Sequence, residues 1–296
     1  MNTPTLTAKF HVALSRECTA AALAVFISTA IWPRTSLAAP QAPAAAASQP
    51  APPRTTSSGF REPDPVDFDD HAGYVQIFDG ANLKDWDGDP SIWRVENSAI
   101  VGESTKEKPV GNSYIAYRGY EGKDFDLKLE IKVENGGGSG IQYRSHTGLP
   151  WRRQRPGQPA PNLNWMMTGP QADFWFPVTP MTAEWTGQFY SENTPLGIIA
   201  WRGQVVNSSP GKPPRLVGNI AGRTPLGGYV RVNDWNQYLI MARSGTFIHV
   251  LNGQLMAVLV DDDPNSSNNQ PGIIGIEIEG TPSKVSIRNI WLKKLP

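Results

Sequence analysis

From Phe125 the chain reads FDLKLEIKVENGGGSGIQYRS, in which Leu127, Leu129, Ile131 and Val133 alternate with Asp126, Lys128, Glu130 and Lys132. Successive side chains of an extended strand point to opposite faces, so this period of two predicts a strand with one apolar and one polar face. Asn135 to Gly138 form a glycine-rich turn, after which Ile141 and Tyr143 alternate with Gln142 and Arg144. The two runs read as an antiparallel hairpin. Towards the C-terminus, residues 235–242 (WNQYLIMA), 246–251 (TFIHVL) and 255–260 (LMAVLV) are three more apolar runs. Asn252-Gly253 closes the last pair with the strongest short hairpin signal. In residues 273–279, Ile274, Ile276 and Ile278 share one face, Glu277 and Glu279 the other, and residues 285–292 supply a closing strand. Helical periodicity is missing from every stretch long enough to show it. Two-faced strands must bury their apolar sides against one another, so the expected fold is all-β, a two-sheet antiparallel jelly-roll sandwich.

Composition agrees with many turns and few helices, since 28 Gly and 27 Pro stand among 296 residues. Lys and Arg total 27 against 27 Asp and Glu, which argues against a nucleic-acid binder held by phosphate electrostatics. At 39% hydrophobic the chain is too apolar for a wholly disordered one.

The first residues follow another logic. Lys9 and Arg16 precede the apolar run 19–32 and the small-residue site Ser36-Leu37-Ala38, the pattern of a secretory signal peptide over residues 1–38. The run is shorter than the roughly 20 apolar residues a bilayer span takes, so the mature form is expected to lack a membrane span. Cys18, the single cysteine, falls in the segment to be removed, which leaves no thiol chemistry. Residues 39–58 (APQAPAAAASQPAPPRTTSS) are a Pro/Ala-rich disordered linker, and 60–296 are expected to form a single jelly-roll domain. A secreted or periplasmic location follows from this reading.

Two segments break the strand rhythm, 147–170 and 191–223. Both are rich in Pro and Gly and are expected to be long loops over one edge of the sandwich. Trp151, Trp165, Trp175, Trp185 and Trp201 fall in this region beside Arg152, Arg153 and Asn164. Indole faces with amide and charged neighbours suit a sugar, whose apolar face stacks while its hydroxyls need polar partners. The alternative is that these rings pack the loops down.

Zinc motifs, phosphate loops, dinucleotide fingerprints and the Gly-x-Ser-x-Gly elbow are missing from the sequence, and beyond the signal only His71, His146 and His249 remain. The candidate site residues are therefore polar ones on non-core strand faces: Glu130, Gln142, Arg144, Glu277 and Glu279. Glu277 and Glu279 stand out because two carboxylates on one face of one strand repel. Asp261-Asp262-Asp263-Pro264-Asn265 is either a calcium turn or a solvated one.

Several landmarks occur in a familiar order: 73–86 (GYVQIFDGANLKDW), 93–102 (WRVENSAIVG), 139–145 (SGIQYRS), Gln171-Ala172-Asp173, 186–190 (TGQFY), 249–253 (HVLNG) and 287–295 (IRNIWLKKL). With them the chain resembles the 3-keto-disaccharide hydrolase domain family of secreted bacterial proteins, whose fold is a concanavalin A-like jelly roll. Two positions depart from the family's pattern. Gly138 stands where Asn is frequent, and Glu277-x-Glu279 where Gln-x-His is common.

The resemblance implies a carbohydrate-active enzyme that cleaves 3-keto-glycosides or 3-keto-disaccharides. A ketone at C3 acidifies the C2 proton, so a base can remove it and the C1 group can leave, with water adding afterwards. On this reading Glu279 or Glu130 is the base and Arg144 stabilises the enolate. Asp173 with Tyr190 or His249 orients the sugar or supplies a proton, and Gln171, Glu277 and Trp175 bind substrate. No cofactor is firmly implied, although a divalent metal could stand in for Arg144. The partner is a small oligosaccharide or keto-sugar glycoside. Three alternatives stay open: a non-catalytic carbohydrate-binding module of the same fold, a two-carboxylate glycosidase using Glu130 with Glu277 or Glu279, and a structural envelope protein.

Overall fold

The computed structural model describes residues 63–152 and 162–296; the signal and linker segments and Arg153 lie outside the described residues. Seventeen strands run through the described chain. The first six are β1 (Val75–Gln76), β2 (Trp86–Gly88), β3 (Trp93–Glu96), β4 (Ala99–Ser104), β5 (Ser113–Gly122) and β6 (Phe125–Glu134). Next come β7 (Gly138–Thr147), β8 (Met167–Trp175), β9 (Phe189–Glu192), β10 (Gly197–Ala200), β11 (Gln204–Ser208) and β12 (Arg215–Asn219). The last five are β13 (Asn236–Arg243), β14 (Thr246–Leu251), β15 (Gln254–Asp261), β16 (Gly272–Ile278) and β17 (Ser283–Lys294). A five-residue helix, α1 (Arg223–Gly227), and two short 3₁₀ turns complete the elements.

The strands form two sheets, as the alternation predicts. A ten-stranded sheet runs β12-β11-β15-β14-β13-β6-β17-β4-β3, with β1 on β17, and a seven-stranded sheet runs β10-β9-β8-β7-β16-β5-β2. Pairing is antiparallel except for β11 against β15. The core lies between the sheets. Leu127, Leu129, Ile131 and Val133 of β6 reach it from one side, and Ile141, Tyr143, Ile274, Ile276 and Ile278 from the other, all buried. Asn252 (φ 49) and Gly253 (φ 77) make the expected tight turn between β14 and β15 in the left-handed region that such a turn demands.

Two expectations are corrected. The runs now seen as β6 and β7 are not a hairpin: β6 pairs with β13 and β17, whereas β7 pairs with β8 and β16. The turn between them, with Asn135, Gly136 and Gly137 all at positive φ, carries the chain from one sheet to the other. Both strands present an apolar face to the same core, which periodicity alone cannot distinguish from side-by-side pairing. The segment 191–223 is also not one long loop. It holds β10, β11 and β12, and its prolines are confined largely to the turn between the last two.

Candidate active site

Alternation along β8 sends Ala172 and Phe174 into the core and Gln171, Asp173 and Trp175 to the opposite face of the seven-stranded sheet. Tyr190 and Glu192 of β9 and Glu277 of β16 lie on that same face, with Glu279 just past the end of β16. Glu279 is fixed there by a two-way backbone bridge, Gly138 N–H to its carbonyl at 2.8 Å and its own N–H to Gly138 at 2.9 Å. Together these residues line a cleft of about 410 Å³, walled by Trp151, Trp175 and Trp185. Trp175 and Trp185 meet edge to face with centroids 4.5 Å apart.

Four carboxyl groups share this cleft, and their surroundings differ. Glu277 is buried and held by three donors. Its Oε1 accepts from the Tyr114 hydroxyl at 2.6 Å and Asn112 Nδ2 at 2.7 Å, and its Oε2 accepts from Gln171 Nε2. Behind it runs a relay in which Gln142 donates to Gln171 at 2.9 Å and Ser145 donates to Gln142 at 2.7 Å. Asp173 is buried and accepts from Gln188 Nε2 at 2.5 Å. Burial first, and then the charges of Glu277 and Glu279, push its carboxyl well above the usual range. Glu192 is raised in the same way, by burial and then by Glu277, Glu279 and Asp173. Two buried polar atoms at the cleft, Trp185 Nε1 and Gln188 Oε1, have no hydrogen-bond partner among the described residues. The cleft thus combines two carboxyl groups whose protonated form is favoured by burial, Asp173 and Glu192, with the carboxyl groups of Glu277 and Glu279 and aromatic walls.

Of the residues expected at one site, Glu277, Glu279, Asp173, Gln171, Tyr190 and Trp175 come together. Glu130, Arg144 and His249 do not, and each has a physical reason. Glu130 lies on β6, in the other sheet, opposite Arg288, whose Nε reaches it at 2.7 Å. Arg144 sits in a bulge with φ 48, where the register of β7 slips between Gln142 and His146. The slip reverses the alternation and buries the guanidinium completely. It donates to the carbonyls of Lys123 at 2.5 Å and Ser244 at 2.9 Å, pairs with Asp124 at 3.0 Å, and lies over the Phe247 ring. His249 projects from β14 into the core, stacked on Phe189, with Nε2 2.8 Å from the Tyr143 hydroxyl. Burial lowers it to about 4.

Two of the tryptophans and the Asp-rich turn lie elsewhere. Trp165 bonds Asp87 at 2.8 Å and Trp201 lies under Arg223, so neither lines the cleft. The carboxylates of the Asp261 to Asn265 turn accept bonds from within and around the turn, including Asn265 N–H to Asp263 and Asn207 Nδ2 to Asp262. No group of three or more His, Cys, Asp or Glu side chains able to hold a metal ion occurs among the described residues. Glu192, Gln188 and Tyr114 were not anticipated. The signal for the first two is the alternation Gln188, Tyr190, Glu192, which runs into a segment read as loop.

A family model described as the 3-keto-alpha-glucoside-1,2-lyase-like domain matches residues 73–293, across both sheets. A 3-keto-disaccharide hydrolase of Bacteroides thetaiotaomicron is 37% identical over 86 residues, 27% of this chain and 29% of that relative. The matched stretch therefore spans less than a third of the relative's length. Among solved structures, a candidate glycosyl hydrolase from Parabacteroides distasonis is 18% identical at a TM-score of 0.44, covering 76% of this chain and 95% of that one. A Bacillus subtilis protein with a galectin-like fold is 9% identical at 0.47, covering 74% and 94%.

Proposed function

The chain belongs to the 3-keto-alpha-glucoside-1,2-lyase-like family, a carbohydrate-active and hydrolase-like group, and from that premise we propose that it cleaves 3-keto-glycosides. The observation that carries this reading is the cluster of Asp173, Glu192, Glu277 and Glu279 in one tryptophan-walled cleft, with the first two pushed up by burial and by the charge of the others.

Glu279 takes the C2 proton, which the C3 ketone has made acidic. The electron pair of the C2–H bond forms the C1–C2 double bond, the C1–O bond breaks, and the departing oxygen receives a proton from Glu192. Neutral Asp173 donates a hydrogen bond to the C3 oxygen as its charge develops, the part first expected of Arg144. Glu277 and Gln171 hold sugar hydroxyls, and Trp175 stacks on the ring. Water then adds across the double bond to complete a net hydrolysis. In this reading residues 1–38 export the protein to the periplasm or beyond, and the small oligosaccharide or keto-sugar glycoside meets it there.

Incubation with plain and 3-keto disaccharides, followed by product analysis, tests the proposal. Only the keto form should be cleaved, and Glu279→Gln should cut turnover by about 10²- to 10⁴-fold, the usual contribution of a general base. Unchanged turnover would remove Glu279 from the mechanism. The tryptophan walls favour a second reading, a module that binds sugar without cleaving it; binding of keto disaccharide by the wild-type protein with no product would support that one.

A further inference from the structure

A second cavity, of about 360 Å³, adjoins the cleft at Trp175, which lines both. Its walls are mostly apolar, with Pro177, Pro180, Ala183, Val230 and Val232 around the Trp175 ring. One wall is different. Arg202 lines the cavity although it is 2% exposed. Its Nε donates to the Arg223 carbonyl at 2.8 Å and its Nη1 to the Thr186 carbonyl at 3.2 Å. Nη2 has no hydrogen-bond partner among the described residues. It stands at the Gly227 wall, 2.9 Å from where a β-carbon on Gly227 would be.

Two guanidiniums, Arg202 and Arg223, share the charge of one carboxylate here. Glu184 is the acidic residue on the lining, and Arg223 Nη1 already pairs with it at 3.0 Å. Arg202 forms no ion pair among the described residues. A guanidinium stays charged inside a protein, and Arg202 feels the Glu184 charge only at a distance, without a direct ion pair, so the cavity as built favours an incoming anion. The apolar walls favour a hydrophobic body behind that anion.

We infer that this cavity is a leaving-group subsite that takes an apolar ring bearing a carboxylate, with the carboxylate on Arg202 and the ring against Trp175 and the proline and valine walls. The inference rests on the proposed cleavage for its place in the reaction, because Trp175, the proposed stacking surface for the sugar, is also a wall of this cavity. The preferred substrates are then 3-keto-glycosides of aromatic acids rather than of neutral phenols.

Two measurements keep the subsite separable from the chemistry. Binding of free 4-hydroxybenzoate, 4-hydroxybenzamide and phenol to the mature protein is followed through the indole N–H resonances. The acid should bind about tenfold more tightly than the amide, the gain expected of one charge-assisted contact. In the second, kcat/KM is compared for the 3-keto-glucosides of 4-hydroxybenzoate and 4-hydroxybenzamide, where the acid should lead by a similar factor. Ala183→Leu, which fills the cavity, and Gly227→Ala, which presses on Arg202 Nη2 while leaving its two carbonyl bonds in place, should each bring the acid-to-amide ratio close to one. Equal affinities for acid and amide, or a ratio untouched by both variants, would overturn the subsite. If neither glucoside is cleaved, the proposed reaction fails, and the binding series alone still decides whether the cavity selects an aromatic acid.

Discussion

Gln171 on β8 hydrogen-bonds Glu277 on β16 by lying across β7, the strand between them, and Gly140 leaves the room for it. A β-carbon at Gly140 would stand 1.8 Å from Gln171 Nε2. Gly140→Ala is therefore expected to push Gln171 off Glu277 and to lower kcat on a 3-keto-glucoside by about tenfold or more, because a carboxylate with one donor removed is less well positioned. Gln171→Leu, which also removes a sugar contact, should cost at least as much, and the double variant little more than Gln171→Leu alone, since Gly140→Ala acts through Gln171. Additive losses would show that Gly140 acts elsewhere.

Arg144 is a keystone of the fold, set where a bulge turns its side chain inwards. Asp124→Asn removes its charged partner but leaves the carbonyl acceptors, and should lower unfolding free energy by about 2 kcal/mol in a urea titration. Arg144→Met loses every bond and should cost more. Sugar binding at 25 °C by the folded Asp124→Asn protein should match wild type, since neither residue lines the cleft.

These residues mark what the sequence could and could not reveal. The strand faces were legible wherever polar and apolar residues strictly alternate, as in β6 and at Ile274 to Glu279, and the Asn252-Gly253 turn was legible from its backbone demands. The bulge at Arg144 was not, because inserting one residue in the ladder swaps faces without placing a glycine at the bulge itself, between Gln142 and Ser145. The inward face of His249 is hidden for a different reason. In TFIHVL both parities are apolar, so nothing marks its face as the one shared with Phe247 and Leu251. Glu130 has the correct polarity for a site residue but belongs to the other sheet, and sheet partners depend on contacts far apart in the chain.

His249 should reveal itself through pH. Its folded value of about 4 lies below the ordinary 6.5, so above 6.5 the imidazole is neutral in both states and its contribution is fully present. As pH falls from 6.5 to 4 the unfolded chain takes up a proton that the folded protein refuses, and stability drops by up to about 3 kcal/mol. His249→Leu should remove this acid limb. The Tm difference between wild type and variant should therefore move in the variant's favour as pH falls through that window; a constant difference would place the imidazole in contact with water.

Asp173 carries the opposite sign. Its carboxyl is raised, chiefly by burial, so the folded protein holds a proton that the unfolded chain releases above about 4. The neutral form's contribution is whole below that pH and declines as pH rises towards the folded value, with Glu192 adding a parallel slope. Asp173→Asn keeps a neutral side chain of the same shape, so its Tm relative to wild type should climb from pH 5 to pH 8. Turnover should respond differently. An amide can still donate a hydrogen bond to the C3 oxygen, so kcat on a 3-keto-glucoside should fall by only about tenfold, and its decline at alkaline pH should flatten, because Asn has no proton to lose. A Tm difference that stays level with pH would mean Asp173 is ionised in the folded protein, and the donor to the developing oxyanion would then have to be another group in the cleft.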